Sequence, residues 1–232
     1  MIKEITVQKR DGSREPLDLE KMHKVVFFAC DNITGVSPSE IEIKSHIQFY
    51  DGIRTDEIQE TLIKAAADLI TEETPNYQWV AGRLINYHLR KKIYNSINPP
   101  HLEQIARTNV NLGYYDESFF SAYNSDEINK INNFIKHDRD DNIAYVGMEQ
   151  FRGKYLIQNR VKGWIYETPQ IAYVMIAATL FQNYPVETRL RYVKEFYDAI
   201  SNFDISLPTQ IMSGVRSTQR QCGICIFIET GA

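Results

Sequence analysis

Val7-Gln8-Lys9-Arg10-Asp11-Gly12-Ser13-Arg14-Glu15-Pro16-Leu17-Asp18 decides how the chain begins to fold. Ile2, Ile5 and Val7 alternate loosely with polar residues, Asp11-Gly12 suits a tight turn, and Glu15-Pro16-Leu17 resumes an extended pattern; together they predict a β-hairpin. Asp18 then stands where a helix N-cap belongs. Beyond it Leu19, Met22, Val25, Val26 and Ala29 recur on one helical face, so a first helix should run to about Cys30.

Reading outward, Ser37-Pro38-Ser39-Glu40 joins an N-cap serine, proline at the first helical position and a glutamate at the third, which opens a second helix to about Tyr50. Asp51-Gly52 breaks it. Thr55 is the expected N-cap of a third helix striped by Ile58, Leu62, Ala65, Ala66, Leu69 and Ile70, and Thr74-Pro75 opens a fourth through Trp79, Leu84 and Leu89 towards Ile97. Asn98-Pro99-Pro100 ends this unit, since proline lacks the amide that a continuing helix would use. Residues 1–95 therefore read as one domain, a hairpin capping four helices, and residues 96–232 as a second. The second is again mostly helical, with segments near 101–112, 126–137, 167–182 and 186–202. Ile205-Ser206-Leu207-Pro208-Thr209 and Ile224-Cys225-Ile226-Phe227-Ile228 read as short strands. A buried strand so near the last residue needs neighbours that the sequence lacks, and the expectation is a sheet completed by another polypeptide.

Across 232 residues, 43% hydrophobic and 24% charged residues are ordinary for a folded globular chain. A net charge of -4 speaks against nucleic acid as a partner. There is no signal-peptide core and no apolar run approaching about 18 residues, so no membrane association is expected and the cytoplasm is the default location. Cys30, Cys222 and Cys225 are too few for a secreted disulfide framework.

Phosphate-loop, dinucleotide, zinc-protease and nucleophile-elbow signatures are absent, so function rests on dispersed groups. Lys9 and Arg10 flank the hairpin turn, Lys21 lies on the first turns of helix one, and His88 and Lys91 are three apart on helix four. They could converge on a polyphosphate beside the helix-one amides; the same spacing also fits solvated surface cations. Cys222-Gly223-Ile224-Cys225 is half a zinc site with no second half, so no metal is expected. Cys225 within its apolar run suits a core thiol, with redox chemistry as the alternative. Cys30 reads as core.

As a set, Val7 to Gly12, Ser45 to Gly52, Ile63 to Ile70 and His88 to Lys92 resemble the ATP-cone of the class I ribonucleotide reductase large subunit. Gly153 to Arg160, Tyr184 to Leu190, Ser206 to Thr209 and Met212 to Arg216 resemble that family's barrel entrance, so the resemblance covers essentially the whole chain in order. It implies a mainly α fold, with a hairpin-capped four-helix cone followed by a helical segment and the first strands of an incomplete α/β ten-stranded barrel. It also implies an oxidoreductase component that converts ribonucleoside diphosphates to their deoxy forms by radical chemistry. The implied partners are a second polypeptide carrying the rest of the large subunit, a radical-generating small subunit, the ribonucleoside diphosphate substrate, and thioredoxin or glutaredoxin as external reductant.

Position by position, the resemblance assigns Lys9, Arg10, Glu15, Pro16, Leu17, Asp18, Leu19, Glu20, Lys21, Thr55, His88 and Lys91 to contacts with ATP or dATP as allosteric effector. It assigns Thr209 to the substrate and Cys225 to one of the two reducing cysteines. The chain departs from the family's pattern at Ile224, Gln59 and Asp18, where relatives carry serine, histidine and asparagine. The remaining readings are a free-standing ATP-cone that senses nucleotides and an inactive fragment.

Overall fold

The computed structural model describes residues 5–9, 12–46 and 48–218. It begins with the expected hairpin: β1 (Thr6–Gln8) pairs antiparallel with β2 (Arg14–Pro16), Val7 opposite Glu15. Gly12, at φ +86°, donates its amide to the Lys9 carbonyl at 3.0 Å, a backbone conformation that favours glycine. Sequence reading missed β3 (Ile53–Arg54), which pairs parallel with the other edge of β1. Asp51 holds that edge by accepting from the Thr6 amide at 3.0 Å and its hydroxyl at 2.6 Å.

Asp18 caps α1 (Leu19–Cys30) by accepting from the Lys21 amide. Met22, Val26, Ala29 and Cys30 are buried, whereas Leu19, expected on that face, is 46% exposed. α2 (Pro38–His46) stops short of Tyr50, because the amides of Gln48 and Phe49 close turns onto Ser45 and His46 and the chain must then enter β3. α3 (Thr55–Ala67) follows β3 directly: Arg54 occupies the cap position expected for Thr55, and Glu57 accepts its amide at 3.1 Å. α4 (Tyr77–Tyr94) ends at Asn95, whose φ of 52° is the left-handed stop asparagine tolerates.

Next come α5 (Leu102–Asn111), α6 (Ser118–Ala122), α7 (Ser125–Phe134), a 3-10 turn over His137–Asn142 and α8 (Tyr145–Gln150). A single wide helical turn, Phe151–Tyr155, leads to a small hairpin of β4 (Gln158–Asn159) and β5 (Trp164–Ile165). α9 (Pro169–Phe181), α10 (Val186–Ser201) and α11 (Thr209–Gly214) complete the described elements. The expected strand over 205–209 is corrected by the structure. The amides of Asp204 and Ile205 both close onto Ala199 at the end of α10, and Pro208 accepts from Ile211 and Met212 to start α11 at Thr209. The other expected strand, Ile224–Ile228, lies outside the described residues.

The chain divides into two compact units, one of residues 1–98 with 140–151, the other of residues 99–139 with 152–232. In the first, α3 and α4 form the centre and the segment 140–151 lies against α4. Gly82 permits this approach, since a Cβ there would collide with the Ile143 carbonyl oxygen. Arg90 on α4 meets the fully buried Asp140 at 3.3 Å.

In the second unit α9 is buried on every side from Pro169 to Ala178, which makes it the core helix around which α10 packs. Two buried ion pairs fix its surroundings. Arg189 on α10 donates twice to Glu127 on α7, at 2.8 and 2.5 Å. Burial opposes the Glu127 charge more than any other single cause, but the Arg189 hydrogen bonds, the Asn124 amide and the Arg189 and Lys130 charges together outweigh it and hold the carboxyl below the usual range. Arg216, wholly buried, pairs with Glu167 and donates to the carbonyls of Met212 and Tyr155; Glu167 also accepts from the Ile157 amide and the Tyr115 hydroxyl.

Two substitutions test these contacts by urea unfolding of the whole chain. Gly82→Ala forces the 140–151 segment away from α4 and should cost about 1–3 kcal/mol. Glu167→Gln leaves the Arg216 charge buried without its counterion and should cost about 3–5 kcal/mol; a loss under about 1 kcal/mol would show that the pair behaves like a solvated one.

Candidate functional site

The first unit contains a cavity of about 690 Å³ between the hairpin, α1, α3, α4 and the 140–151 segment. Its apolar wall consists of Val7 on β1, Leu17, then Met22, Val25 and Phe28 on α1, and Ile58 on α3, with Tyr87 and Ile97 beyond. The α1 face repeats at helical spacing, so the helix that closes the core also floors the cavity. Polar groups sit at two places. Glu15, Asp18, Lys21 and Lys24 line the hairpin and α1 side, and Thr55, Gln59, Asn86, Arg90, Asn98 and Asp141 line the α3 and α4 side.

The charges on the hairpin side are interlinked. Lys9 reaches Glu15 at 2.6 Å and Lys21 reaches Asp18 at 3.2 Å. The hydrogen bond from the Lys21 amide is the main reason the Asp18 carboxyl is held below its ordinary range, with the Lys21 ammonium adding to it. On the far side, Asn86 donates Nδ2 to Asp141 at 2.7 Å, while its buried Oδ1 has no hydrogen-bond partner. Gln59 Oε1 is likewise buried and unpartnered. Arg90 is committed to Asp140 and, at 3.4 Å, to the carbonyl of Ile97.

The structure thus brings Glu15, Leu17, Asp18, Lys21 and Thr55 onto one cavity and ties Lys9 to it through Glu15. Five other expected effector contacts do not line it. Pro16 is exposed at the end of β2, and Leu19 and Glu20 face a neighbouring cleft shared with His23, Glu42, Ile43 and His46. His88 is buried, 3.5 Å from Glu60, and lines a separate hollow of about 360 Å³ with Asp56, Glu57 and Lys92. Lys91 is half-exposed and its carbonyl accepts the Asn95 amide that ends α4. Arg10 and Cys225 lie outside the described residues. Thr209 is the first residue of α11 in the second unit, half-buried, its carbonyl accepting from the Ser213 hydroxyl.

Sequence reasoning missed Asn86, Arg90, Asn98 and Asp141. One signal was available: an amide inside the apolar run Leu84-Ile85-Asn86-Tyr87 of a core helix requires a polar partner. Asp141, far away in sequence on an irregular turn, had none.

Comparison with known proteins now adds to this geometry. Residues 5–92 match the ATP cone domain model, and residues 142–220 match the model described as ribonucleotide reductase, all-alpha domain. Ribonucleoside-diphosphate reductase 1 subunit alpha of Escherichia coli is 51% identical over 231 residues, covering 100% of this chain and 30% of that protein. The chain carries an ATP cone and a ribonucleotide reductase all-alpha domain, and along its whole length it is similar to part of the large subunits of ribonucleotide reductases. The subunit alpha of Haemophilus influenzae is 49% identical over 99% of the chain, and that of Enterobacteria phage T4 42% identical over 98%. The chain spans about 30% of the length of these relatives.

The cavity is therefore the pocket of the cone, between its hairpin and its helices. Its inner wall extends past the matched cone: Ile97, Asn98 and Asp141 all follow residue 92. Among the described residues, no group of three or more metal-ligating side chains is assembled, and no helix is long and apolar enough to cross a membrane.

Asp18 makes the hairpin side testable. Because its folded pKa is depressed, the cap stabilises the fold fully above the unfolded value near ~3.9 and is lost as pH falls through the folded value. The melting temperature of Asp18→Ala should lie below that of the parent chain at pH 7, and the gap should close as pH falls through the depressed folded value. A gap that persists undiminished in acid would assign the effect to something other than the carboxylate.

Proposed function

We propose that the cone pocket binds ATP or dATP as an allosteric effector. The chain then serves as the cone and all-alpha portion of a class I ribonucleoside-diphosphate reductase large subunit. The observation that carries this reading is the pocket itself: an apolar floor wide enough for a base, with Lys21, Lys24 and the Thr55 hydroxyl on its borders to hold phosphates. Ammonium groups suit phosphate as point charges, and a hydroxyl supplies a donor that phosphate oxygens accept. Lys9, held by Glu15, is one ion-pair exchange away from the same anion.

The reaction needs the rest of the large subunit and a radical-generating small subunit. In that assembly Thr209 holds the ribonucleoside diphosphate near its phosphates, and Cys225 supplies reducing equivalents as the 2'-hydroxyl leaves, its disulfide later reduced by thioredoxin or glutaredoxin. Identity at this level across the second unit favours a reductase component over a free-standing nucleotide sensor, because a sensor has no use for the all-alpha domain.

Calorimetric titration of the chain with ATP and with dATP tests the effector site. Lys21→Ala should weaken binding about tenfold, the scale of one lost hydrogen bond to a charged group, while Thr209→Ala should leave it unchanged. In reductase reconstituted with the remaining large-subunit chain and the small subunit, Cys225→Ser should abolish turnover and Thr209→Ala should raise KM. Absence of ATP binding, or full turnover in the Cys225→Ser enzyme, would defeat the reading.

A further inference from the structure

The second unit carries a positive patch that the proposed function leaves without a role. Residues 152–166 include Arg152, Lys154, Arg160 and Lys162 and no acid, although the whole chain has a net charge of -4. The next acid, Glu167, is buried against Arg216 and neutralises nothing at the surface. Lys154, Arg160 and Lys162 are exposed and, among the described residues, none of the three meets a carboxylate. Lys162 lies instead over the Trp164 ring, 4.9 Å from its centre, and Lys154 over the Tyr155 ring at 5.8 Å. Trp164 is itself 53% exposed, and Val161, in the turn of the β4–β5 hairpin, 98%.

β4 and β5 are too short to hold this shape alone, and hydrogen bonds from outside the ladder fix it. The Ile157 amide donates to Glu167 at 2.7 Å and the Tyr155 carbonyl accepts from Arg216 at 2.9 Å, so the buried ion pair anchors the base of the hairpin. Gln158 Nε2 ties that base to the Arg152 carbonyl at 3.2 Å. In the turn, Asn159 Oδ1 accepts the amides of Val161 and Lys162 at 3.1 and 3.0 Å, and Gly163 takes the φ of +65° that brings the chain back. The cations are thus held close together without counterions, beside an exposed tryptophan. Carboxylates relieve the first condition and an apolar side chain the second, and an ordered surface binds at a smaller entropic cost. We propose that this hairpin, with Lys154 and Tyr155 before it, docks an acidic peptide segment of a partner polypeptide. Its carboxylates meet Lys154, Arg160 and Lys162, and an apolar side chain covers Trp164. A nucleic acid would carry its negative charge far beyond the patch, along a chain that is acidic overall, so a short acidic peptide is the better match.

The test is fluorescence anisotropy on the full chain with three labelled probes: a peptide of glutamates around a central leucine, the same peptide with glutamine for glutamate, and oligothymidylate of equal length. The parent chain should bind the glutamate peptide about tenfold more tightly than the glutamine one, and that preference should shrink as salt is raised. Trp164→Ala should weaken binding of the glutamate peptide about tenfold. Arg160→Glu combined with Lys162→Glu should abolish it. These side chains are exposed, so the variants should keep the parent's circular dichroism spectrum and ATP affinity, which separates loss of docking from loss of fold. A parent chain that binds neither peptide, or both equally, overturns the proposal, as does a charge-reversed chain that binds the glutamate peptide undiminished. Oligothymidylate bound more tightly than the glutamate peptide also overturns it and assigns the patch to nucleic acid.

Discussion

β1 must satisfy backbone donors and acceptors on both of its edges, and the arrangement of the cone follows from how it does so. β2 takes one edge antiparallel and β3 takes the other parallel, with Val7 opposite Glu15 on one side and Ile53 on the other. The two neighbours therefore run in opposite directions. α1 starts beside the Thr6 end of β1 and α3 beside the Gln8 end, with Val7 between them. The pocket is the space bounded by those two first turns, which is why Asp18 and Lys21 share a cavity with Thr55 although more than thirty residues separate them.

The hairpin, α1 and its Asp18 cap were legible because each rests on local chemistry: a glycine at a left-handed turn position, a carboxylate before an apolar helical face. The four long helices of residues 102–201 were legible for the same reason. β3 was not, since two residues carry no periodicity and their pairing is set by a partner 46 positions away in register, Val7 with Ile53. The strand expected at 205–209 failed because Ile205 and Leu207 alternate with polar residues, yet the amides before Pro208 were already spent on closing α10. Of the expected effector residues, those on the hairpin and first turn of α1 are set by neighbouring positions. His88 and Lys91 depend on the rotation of α4, which packing against α3 and the 140–151 segment fixes and which no local pattern reveals.

Buried polar groups are treated differently in the two units. In the second, Arg189 and Arg216 are each matched by a carboxylate with paired hydrogen bonds, and Arg216 also donates to two backbone carbonyls, so the charges serve as rigid cross-links between elements distant in sequence. Thr168 Oγ1 and Gln170 Nε2, both at the start of α9, are buried there without a hydrogen-bond partner. In the cone, the unpartnered amide oxygens of Gln59 and Asn86 line a cavity. In both units a buried polar atom left without a partner costs stability, so each marks a place where packing took precedence over hydrogen bonding.

That difference has a thermodynamic consequence for the 140–151 segment. It is held to α4 by Asp140 on Arg90, by Asp141 on Asn86 and by the close approach at Gly82, and Asp141 is at once a docking contact and part of the pocket wall. A ligand that binds only when Asp141 is in place stabilises the docked segment, and docking raises ligand affinity by the same factor, since linkage between two equilibria is reciprocal. The segment is continuous at Arg139 and at Arg152 with the second unit. Any ligand that engaged Asp141 would bear on a segment whose two flanks belong to the second unit.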